Sequence, residues 1–349
     1  MTKVASKGVT ITKGKFKGLQ AVSDKKGVIR AAAMDQRGSL QKSIAKAKNV
    51  DPSQVTPEMM SEFKVAVSKV LTPHASAILL DPEFGLQAVK ARAKGAGVLL
   101  AYEQTGYDHT LPGRVPTLIP NYTVARLTED GGDCVKVLIY YTPEEDSKVN
   151  EIKHAFVRRI GAECAYHDVP YFLEFVGYDP KGGDEKGLEY AKKKPVIVQK
   201  SMEEFSKPEY LVDVLKVEIP VNMQFVAGAR SNKGNQPAYS RKEAMDHVRA
   251  TAKVAKKPFI YLSAGVSDDE FREGLELAIE TGTPFSGVLC GRATWKEGIP
   301  VYASQGAKAL ENWLKDRGVQ NITALNKVLD KGARSWLDFY GGKSKIKIA

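Results

Sequence analysis

The segment IRAAAMDQRG, residues 29–38, distinguishes between the two α/β architectures that the chain could adopt. Its apolar first part is typical of a buried parallel strand. The first strand of an open, doubly wound sheet normally leads into a glycine-rich phosphate loop, but this one leads into Asp35, Gln36 and Arg37. Because no GxGxxG or Walker-type motif occurs elsewhere in the sequence, the segment favours a closed barrel.

Seven further apolar or β-branched segments follow along the chain. The eight predicted strands are residues 29–35, 76–81, 97–103, 134–141, 171–176, 212–219, 258–263 and 285–291. Helical patterns separate them: Thr56-Pro57 begins one helix, and the spacings Ser240 to Glu243 and Ser267 to Glu270 indicate capping boxes. Eight alternations of strand and helix require parallel pairing and predict an α/β fold of the (β/α)₈, or TIM barrel, type.

The whole chain, residues 1–349, is expected to form a single barrel domain. The predicted boundaries are about 28–318 for the barrel core, 1–23 for an N-terminal extension, and 322–349 for a C-terminal helix and tail. Two helices, 305–317 and 322–339, are expected after the eighth strand, and the second is appended to the barrel. The polar, glycine-containing segments 179–194 and 222–239 are predicted loops, and the latter is a candidate lid.

Composition limits the partners and the location of the protein. The formal net charge of +11 is spread over short lysine clusters without interleaved aromatic residues, so a nucleic-acid-binding surface is not expected. The three cysteines lack CxxC spacing, and no apolar run is long enough for a signal peptide or a membrane span. We therefore expect a cytoplasmic protein that binds neither nucleic acid nor membrane, and we leave a homo-oligomer open.

The sixth predicted strand carries a lysine on the face that points into the barrel. Side chains alternate between the two faces of a strand, which places Lys216 with Val214 and Glu218. Leu215 and Val217 then face the surrounding helices. Because an ammonium group is costly to bury, a lysine at this position requires a chemical explanation.

Strands four and five place two more ionisable groups inside the same barrel, Lys136 and Glu174. One interpretation is a structural ion network. The other is catalytic, because burial and a neighbouring cation favour the neutral, nucleophilic form of a lysine such as Lys216. A glutamate between the two lysines could then move protons. The catalytic interpretation explains better why three adjacent strands carry charges inward.

A neutral Lys216 would support carbonyl chemistry without a metal. Cleavage of a C–C bond β to a carbonyl leaves electron density on the adjacent carbon, and a protonated imine accepts that density well. The sequence contains five histidines, and none of them has HxH or HExxH spacing. We therefore expect neither a metal nor a cofactor.

The loops after strands seven and eight have the features of a phosphate site. Barrels often bind phosphate at these loops through backbone amides. Ser263 and Gly265 follow strand seven, and Gly291 and Arg292 follow strand eight. Glycine allows close approach of the backbone, and Arg292 offers a planar set of donors for phosphate oxygens. A simple strand-to-helix turn remains the alternative for each glycine.

Five segments of the chain resemble the tagatose 1,6-bisphosphate aldolase family. They are AMDQRG (33–38), LLDPEFG (79–85), VDVLKVE (212–218), YLSAGVS (261–267) and GVLCGRATW (287–295). The resemblance runs from about Val28 to the C-terminal helix. Residues 1–23 and 341–349 are expected to have no counterpart in the family.

This resemblance implies a class I aldolase that cleaves a ketohexose 1,6-bisphosphate to dihydroxyacetone phosphate and glyceraldehyde 3-phosphate. It implies that Lys216 is the Schiff-base lysine and that Glu174 transfers protons. The predicted substrate-binding residues are Asp35, Gln36, Lys136, Ser263, Gly265, Leu289, Gly291 and Arg292. Arg37, Lys42 and Arg230 are candidates for the second phosphate.

Three alternatives use the same barrel. A sulfofructose-phosphate aldolase or a transaldolase would use the same lysine, and product analysis with different ketose phosphates separates these enzymes. A non-catalytic barrel that senses a sugar phosphate would keep the Arg292 loop but would not need a reactive lysine.

An aldolase that works through Lys216 should not require a divalent metal. We expect EDTA to leave the rate of ketose bisphosphate cleavage unchanged, as measured by the formation of dihydroxyacetone phosphate. Strong inhibition by EDTA that added zinc reverses would contradict this expectation and favour a metal-dependent mechanism.

Overall fold

The computed structural model describes residues 9–349 and contains a closed barrel of eight parallel strands surrounded by helices. The barrel strands are β1 (Ile29–Met34), β2 (Ala77–Leu80), β3 (Gly97–Ala101), β4 (Cys134–Tyr140), β5 (Tyr171–Val176), β6 (Val214–Glu218), β7 (Phe259–Leu262) and β8 (Gly287–Cys290). Neighbours in the barrel follow chain order, and β8 closes on β1 with Ile29 opposite Gly287. The predicted TIM barrel and its eight strands are confirmed.

Several strands end one or two residues before their predicted ends. Asp35, Glu103, Ser263 and Gly291 each follow a strand instead of ending it. Their polar groups therefore lie in the loops at the C-terminal edge of the barrel. This is the edge at which TIM barrels assemble their active sites.

Helices cover the outside of the barrel and connect consecutive strands. Within the described residues they are α1 (Lys13–Ala21), α2 (Gly38–Lys48), α3 (Pro57–Leu71), α4 (Leu86–Ala91), α5 (Val124–Glu129), α6 (Ser147–Tyr166), α7 (Leu188–Phe205), α8 (Arg241–Val254), α9 (Asp268–Glu280), α10 (Arg292–Trp295), α11 (Ile299–Trp313) and α12 (Val319–Gly332). Segment 179–194, which was expected to be a loop, becomes helical at Leu188. None of the helices within residues 9–349 is both long enough and apolar enough to cross a membrane.

The predicted helix starts are confirmed, with one difference. The Thr56 side chain accepts a hydrogen bond from the Met59 amide, and Ser240 and Glu243 form a complete capping box. Ser267 also caps its helix by accepting from the Glu270 amide. The Glu270 carboxylate, however, accepts a hydrogen bond from Gln224 at 2.9 Å, and so it anchors the β6–α8 loop.

The C-terminal helices differ from the prediction. The first one, α11, begins at Ile299 and not at residue 305, although Gly306 interrupts it with φ 77° and ψ −173°. A π-helical turn, Leu314–Gly318, leads into α12, which ends at Gly332 and not at residue 339. The chain leaves the helix there because the Arg334 amide donates to the Phe285 carbonyl, so this segment is held against the barrel.

Apolar side chains from all eight strands fill the barrel below its C-terminal edge. They are Ile29, Ala31, Ala33, Ala77, Leu79, Leu99, Cys134, Phe172, Val214, Ile260 and Leu289. The alanines on β1 and β2 leave room for the large Phe172 ring on the opposite strand β5. This packed layer separates the charged groups above it from the lower end of the barrel.

The predicted N-terminal extension is part of the barrel structure from Val9 onward. A short N-terminal strand, Val9–Ile11, pairs in parallel with a C-terminal strand, Ile346–Ile348. Helix α1 then covers the lower opening, where Phe16 packs edge-to-face against Trp336 at a centroid distance of 5.6 Å. A Cβ atom on Gly14 would lie 2.2 Å from the Asp168 carbonyl oxygen, so only glycine allows this close approach.

Trp336 closes the lower end of the barrel and is fully buried. We expect Trp336→Ala to lower the free energy of unfolding by about 3–5 kcal/mol, because a large buried aromatic side chain is removed and leaves a cavity. Urea unfolding at neutral pH measures this change. Tyr166→Ala, which removes an aromatic ring that is 86% exposed, is the matched control and should change the free energy by less than about 0.5 kcal/mol. Equal effects of the two changes would contradict the assigned role of Trp336.

Candidate active site

A cavity of about 1670 Å³ opens at the C-terminal edge of the barrel. All ten residues that the sequence predicts for the site line it: Asp35, Gln36, Lys136, Glu174, Lys216, Ser263, Gly265, Leu289, Gly291 and Arg292. They come from six strands or the loops that follow them, so only the closed barrel brings them together.

Lys216 and Glu174 face each other across neighbouring strands. Their backbones are in register on β5 and β6, and Lys216 Nζ lies 2.8 Å from Glu174 Oε2. Lys216 is 3% exposed and Glu174 is 5% exposed. Within residues 9–349, Glu174 is the one carboxylate within ion-pair distance of Lys216.

Lys136 is the centre of a larger ion network. Its Nζ lies 2.8 Å from Asp35 Oδ2, 2.7 Å from Glu103 Oε1 and 2.8 Å from Glu174 Oε2. Glu174 Oε2 therefore contacts both lysines, as predicted for an acid placed between them. The Lys136 side chain is completely buried.

Lys136 and Lys216 have different charged neighbours. Burial would lower the pKa of Lys136, but the charges of Asp35, Glu103 and Glu174 raise it well above its ordinary value. Burial would raise the pKa of Asp35, but Lys136, Lys216 and Arg37 hold it well below the usual range. Lys136 and Asp35 are consequently a fixed ion pair. Lys136 is therefore held as a cation, whereas Lys216 has a single carboxylate within ion-pair distance.

Glu103 is a site residue that the sequence prediction missed. It follows β3 and is 5% exposed. The signal was present, because predicted strand 97–103 ends in an acid in the same way that predicted strand 29–35 ends in Asp35. Arg37 also lies close, with Nη1 at 2.8 Å from Glu83 Oε2 and Nη2 at 3.7 Å from Glu103 Oε1.

A second buried ion pair holds the end of β1 in place. Lys64, on α3, contacts Asp81 at 2.5 Å, and both side chains are fully buried. Lys64 also donates to the carbonyl oxygens of Met34 and Gln36, at 2.7 and 2.8 Å. Asp35 lies between these two carbonyls in sequence, so the pair fixes the backbone from which Asp35 reaches the cavity.

The loops after β7 and β8 meet beside Lys216. Gly265 has φ 81°, and a Cβ atom there would lie 2.7 Å from the guanidinium carbon of Arg292. The positive φ favours glycine at this position, and the missing Cβ leaves room for the Arg292 guanidinium against the loop. Arg292 is exposed at the cavity, where its charge is available to an anion.

The predicted lid, segment 222–239, is fastened to helix α9. The amides of Arg230 and Ser231 and the Ser231 hydroxyl all donate to the buried Glu273 carboxylate. The Arg230 side chain pairs with Glu276 at 2.7 Å. Arg230 lies at the edge of the cavity, but its charge is already paired with that of Glu276.

Within residues 9–349, no group of three or more His, Cys, Asp or Glu side chains is arranged to hold a metal ion. The requirement for a metal is therefore left to the chelator experiment.

A family model for the DeoC/LacD family aldolases matches residues 29–297, which include all eight barrel strands. The chain belongs to the DeoC/LacD family of aldolases. The lysine, the glutamate and the phosphate-type loops described above all lie within the matched region. Members of this family are lyases that act on carbon–carbon bonds.

Relatives within the family match over nearly their whole length. The chain is 50% identical to a tagatose 1,6-diphosphate aldolase of Listeria monocytogenes over 340 residues, covering 97% of this chain and 98% of the relative. It is 50% identical to tagatose 1,6-diphosphate aldolase 2 of Enterococcus faecalis, over 94% and 97% of the two chains. It is 44% identical to tagatose 1,6-diphosphate aldolase of Lactococcus lactis, over 95% and 99%.

These alignments correct one expectation. Coverage of 97% leaves only about ten of the 349 residues outside the alignment with the Listeria protein. Most of segments 1–23 and 341–349 therefore have a counterpart there, and the expectation that they have none is wrong. The described parts of these segments, residues 9–23 and 341–349, lie at the lower end of the barrel.

Solved structures agree on the fold. An archaeal fructose 1,6-bisphosphate aldolase superposes with a TM-score of 0.54 at 14% identity, covering 93% of this chain and 98% of that one. The fructose-bisphosphate aldolase of Plasmodium falciparum gives a TM-score of 0.61 at 11% identity, over 98% and 99%. At such low identities the agreement concerns the barrel alone.

We expect Lys136→Met to lower the free energy of unfolding by about 3–5 kcal/mol at pH 7, because three buried carboxylates lose their cation. The loss in the free energy of unfolding should become smaller as the pH falls. The folded-state pKa of Asp35 is held below its unfolded value near ~3.9, so its contribution is present above that pH and disappears as the pH falls toward the folded-state pKa. Urea unfolding of both proteins between pH 7 and pH 3 measures the difference.

Lys42→Met is the matched control, because Lys42 is an exposed lysine at the same cavity. It should change the free energy of unfolding by less than about 0.5 kcal/mol at every pH. A Lys136→Met loss that stays constant from pH 7 to pH 3 would show that the ion network does not stabilise the fold in the way described.

Proposed function

We propose that the chain is a class I aldolase that cleaves tagatose 1,6-bisphosphate, or a related ketohexose 1,6-bisphosphate, to dihydroxyacetone phosphate and glyceraldehyde 3-phosphate. The observation that carries this proposal is the 2.8 Å contact between Lys216 Nζ and Glu174 Oε2 inside the cavity. The names of the relatives from Listeria, Enterococcus and Lactococcus support the substrate class.

The first stage of the reaction is formation of the Schiff base. Lys216 gives a proton to Glu174, and its free amine attacks the C2 carbonyl of the substrate to form a carbinolamine. Glu174 returns the proton to the C2 hydroxyl, which leaves as water, and a protonated imine remains. Lys136 stays charged throughout and keeps the Glu174 carboxylate in place.

The second stage is cleavage of the bond between C3 and C4. Glu174 accepts the proton of the C4 hydroxyl, the C4–O bond becomes a carbonyl, and the electrons of the C3–C4 bond move into the imine to give an enamine. The aldehyde then leaves. Protonation of the enamine at C3 and hydrolysis of the imine release dihydroxyacetone phosphate and the free lysine. Asp35 is proposed to orient the hydroxyl groups beside the breaking bond.

Opposite parts of the cavity are proposed to hold the two phosphates. Ser263, Gly265, Gly291 and the Arg292 guanidinium would bind the C1 phosphate, with Leu289 packing beside it. For the second phosphate, Arg37 and Arg230 are already paired with acids, whereas Lys42 is exposed at the cavity. Lys42 is therefore the residue that we favour for binding the second phosphate.

A transaldolase, a sulfofructose-phosphate aldolase and a sugar-phosphate sensor remain the competing functions. The first two would share the chemistry of Lys216 but differ in the products formed. The sensor is disfavoured by the buried acid beside Lys216, which binding alone does not require. We also propose a cytoplasmic location, no nucleic-acid or membrane partner, and a homo-oligomer as an untested prediction.

Reduction with borohydride tests the proposal directly. We expect borohydride to trap a covalent adduct of the protein with tagatose 1,6-bisphosphate or dihydroxyacetone phosphate, and peptide mass spectrometry to find it on Lys216. Lys216→Met should abolish both trapping and cleavage. Lys194→Met is the control, because Lys194 is a lysine of the same cavity that pairs with Glu218 at 3.1 Å. A Lys216→Met protein that is still trapped would refute the assignment.

A panel of tagatose, fructose and sulfofructose phosphates identifies the preferred substrate.

A further inference from the structure

Three unpaired polar atoms lie together on one side of the cavity. Within residues 9–349, nine buried side-chain nitrogen or oxygen atoms have no hydrogen-bonding partner. Three of these nine belong to neighbours at the cavity: Gln36 Oε1, Arg37 Nε and Glu103 Oε2. A buried polar atom without a partner destabilises the fold, so a cluster of three at a binding site indicates a ligand that pairs with them.

The surrounding contacts show that two of these atoms are acceptors. Glu103 Oε1 is occupied by Lys136 Nζ at 2.7 Å, which leaves Oε2 free. Gln36 Nε2 donates to Asp35 Oδ1 at 3.2 Å. Because the low pKa of Asp35 keeps its carboxylate ionised and able only to accept, the Gln36 amide cannot be turned around, and Oε1 is its free atom.

The chemistry of these atoms fits a hydroxyl group and excludes a phosphate. A phosphate dianion has only acceptor oxygens and would be repelled by the Glu103 carboxylate. Burial is the largest influence on Glu103 and raises its pKa, while Lys136 and Arg37 oppose that effect. An ionised carboxylate accepts from a hydroxyl and a protonated one donates to it, so a hydroxyl pairs with Glu103 in either state.

The position of the cluster identifies the part of the substrate. This step rests on the proposed function, in which Lys216 binds C2 and the loops of Gly265 and Arg292 bind the C1 phosphate. Glu174 contacts Lys136 on one side, and Glu103 contacts the same Nζ from another direction. Glu174 and Asp35 serve the oxygens on C3 and C4, so the next hydroxyl along the chain, on C5, is the one left for Glu103.

We propose that Glu103, together with Gln36, binds the C5 hydroxyl of the ketohexose, which is the hydroxyl next to the aldehyde carbon of the three-carbon product. Glu103 is then a specificity residue for the aldehyde half of the substrate. It selects acceptors that carry a hydroxyl at this carbon, while Lys42 binds the phosphate beyond it.

The reverse reaction tests this role with two acceptors that differ in one hydroxyl. Condensation of dihydroxyacetone phosphate with D-glyceraldehyde 3-phosphate is compared with its condensation with 3-oxopropyl phosphate, which lacks the hydroxyl. We expect the unaltered protein to prefer the hydroxylated acceptor at least tenfold in kcat/KM, because a site built around a hydroxyl is left with unpaired groups by the deoxy acceptor. Glu103→Gln should lower that preference several-fold, and Glu103→Leu should remove it.

Glu83→Gln is the matched control. Glu83 is the other acid that contacts Arg37, but its side chain is 35% exposed and it does not line the cavity. The Glu83→Gln variant should show the same preference for the hydroxylated acceptor as the unaltered protein. If Glu103→Gln and Glu103→Leu both keep the full preference, the proposal is overturned. Borohydride trapping of dihydroxyacetone phosphate on Lys216 should persist in Glu103→Gln, which separates a failure of this inference from a failure of the aldolase function.

A binding experiment keeps the inference testable without catalysis. Hexitol 1,6-bisphosphates have no carbonyl and cannot form a Schiff base. By calorimetry, we expect the unaltered protein to bind a hexitol 1,6-bisphosphate at least tenfold more tightly than its 5-deoxy analogue, and Glu103→Leu to bind both equally. Equal binding of the two compounds by the unaltered protein would contradict the proposal.

Discussion

The buried ammonium of Lys136 is the interaction on which the whole site depends. Three carboxylates, from Asp35, Glu103 and Glu174, converge on one Nζ that has no access to solvent. Each of these groups alone would be expensive to bury as an ion. Together these groups offset part of that cost, and they hold the strands β1, β3, β4 and β5 to a common geometry at the C-terminal edge.

This network also gives two lysines different surroundings, although both contact Glu174 Oε2. Lys136, surrounded by three negative charges, is held as a permanent cation that orients carboxylates. Lys216 touches the same Glu174 Oε2, and no other carboxylate in residues 9–349 lies within ion-pair distance of it. The number of acids around each amine, which is set by barrel register, is therefore the basis on which Lys216 is proposed as the nucleophile.

Much of this arrangement could be read from periodicity, and the rest depends on distances between segments. Alternation along single strands was enough to place Lys136, Glu174 and Lys216 inside the barrel. Glu103 ends its predicted strand as Asp35 does, but what makes it a site residue is its contact with Lys136, 33 positions away, which alternation along one strand does not show. The Lys64 and Asp81 pair was hidden for the same reason, since Lys64 lies on a helix and both partners look like surface residues.

Errors at the chain ends have a similar physical origin. The predicted helix over 322–339 continued a helical pattern past Gly332, but backbone contacts with Gly27 and Phe285 hold that segment in another conformation. Residues 9–23 looked like part of an extension because the lower end of the barrel that they cover is formed by distant parts of the chain. Local patterns do not contain such information.

The pairing of strand Val9–Ile11 with strand Ile346–Ile348 also has a consequence for biosynthesis. A ribosome makes the first of these strands long before its partner. The N-terminal helix must wait, with Phe16 uncovered, until Trp336 has emerged. The lower end of the barrel is thus covered only after residues 336–348 have been made, and until then the nascent chain carries an exposed apolar surface that chaperones can recognise.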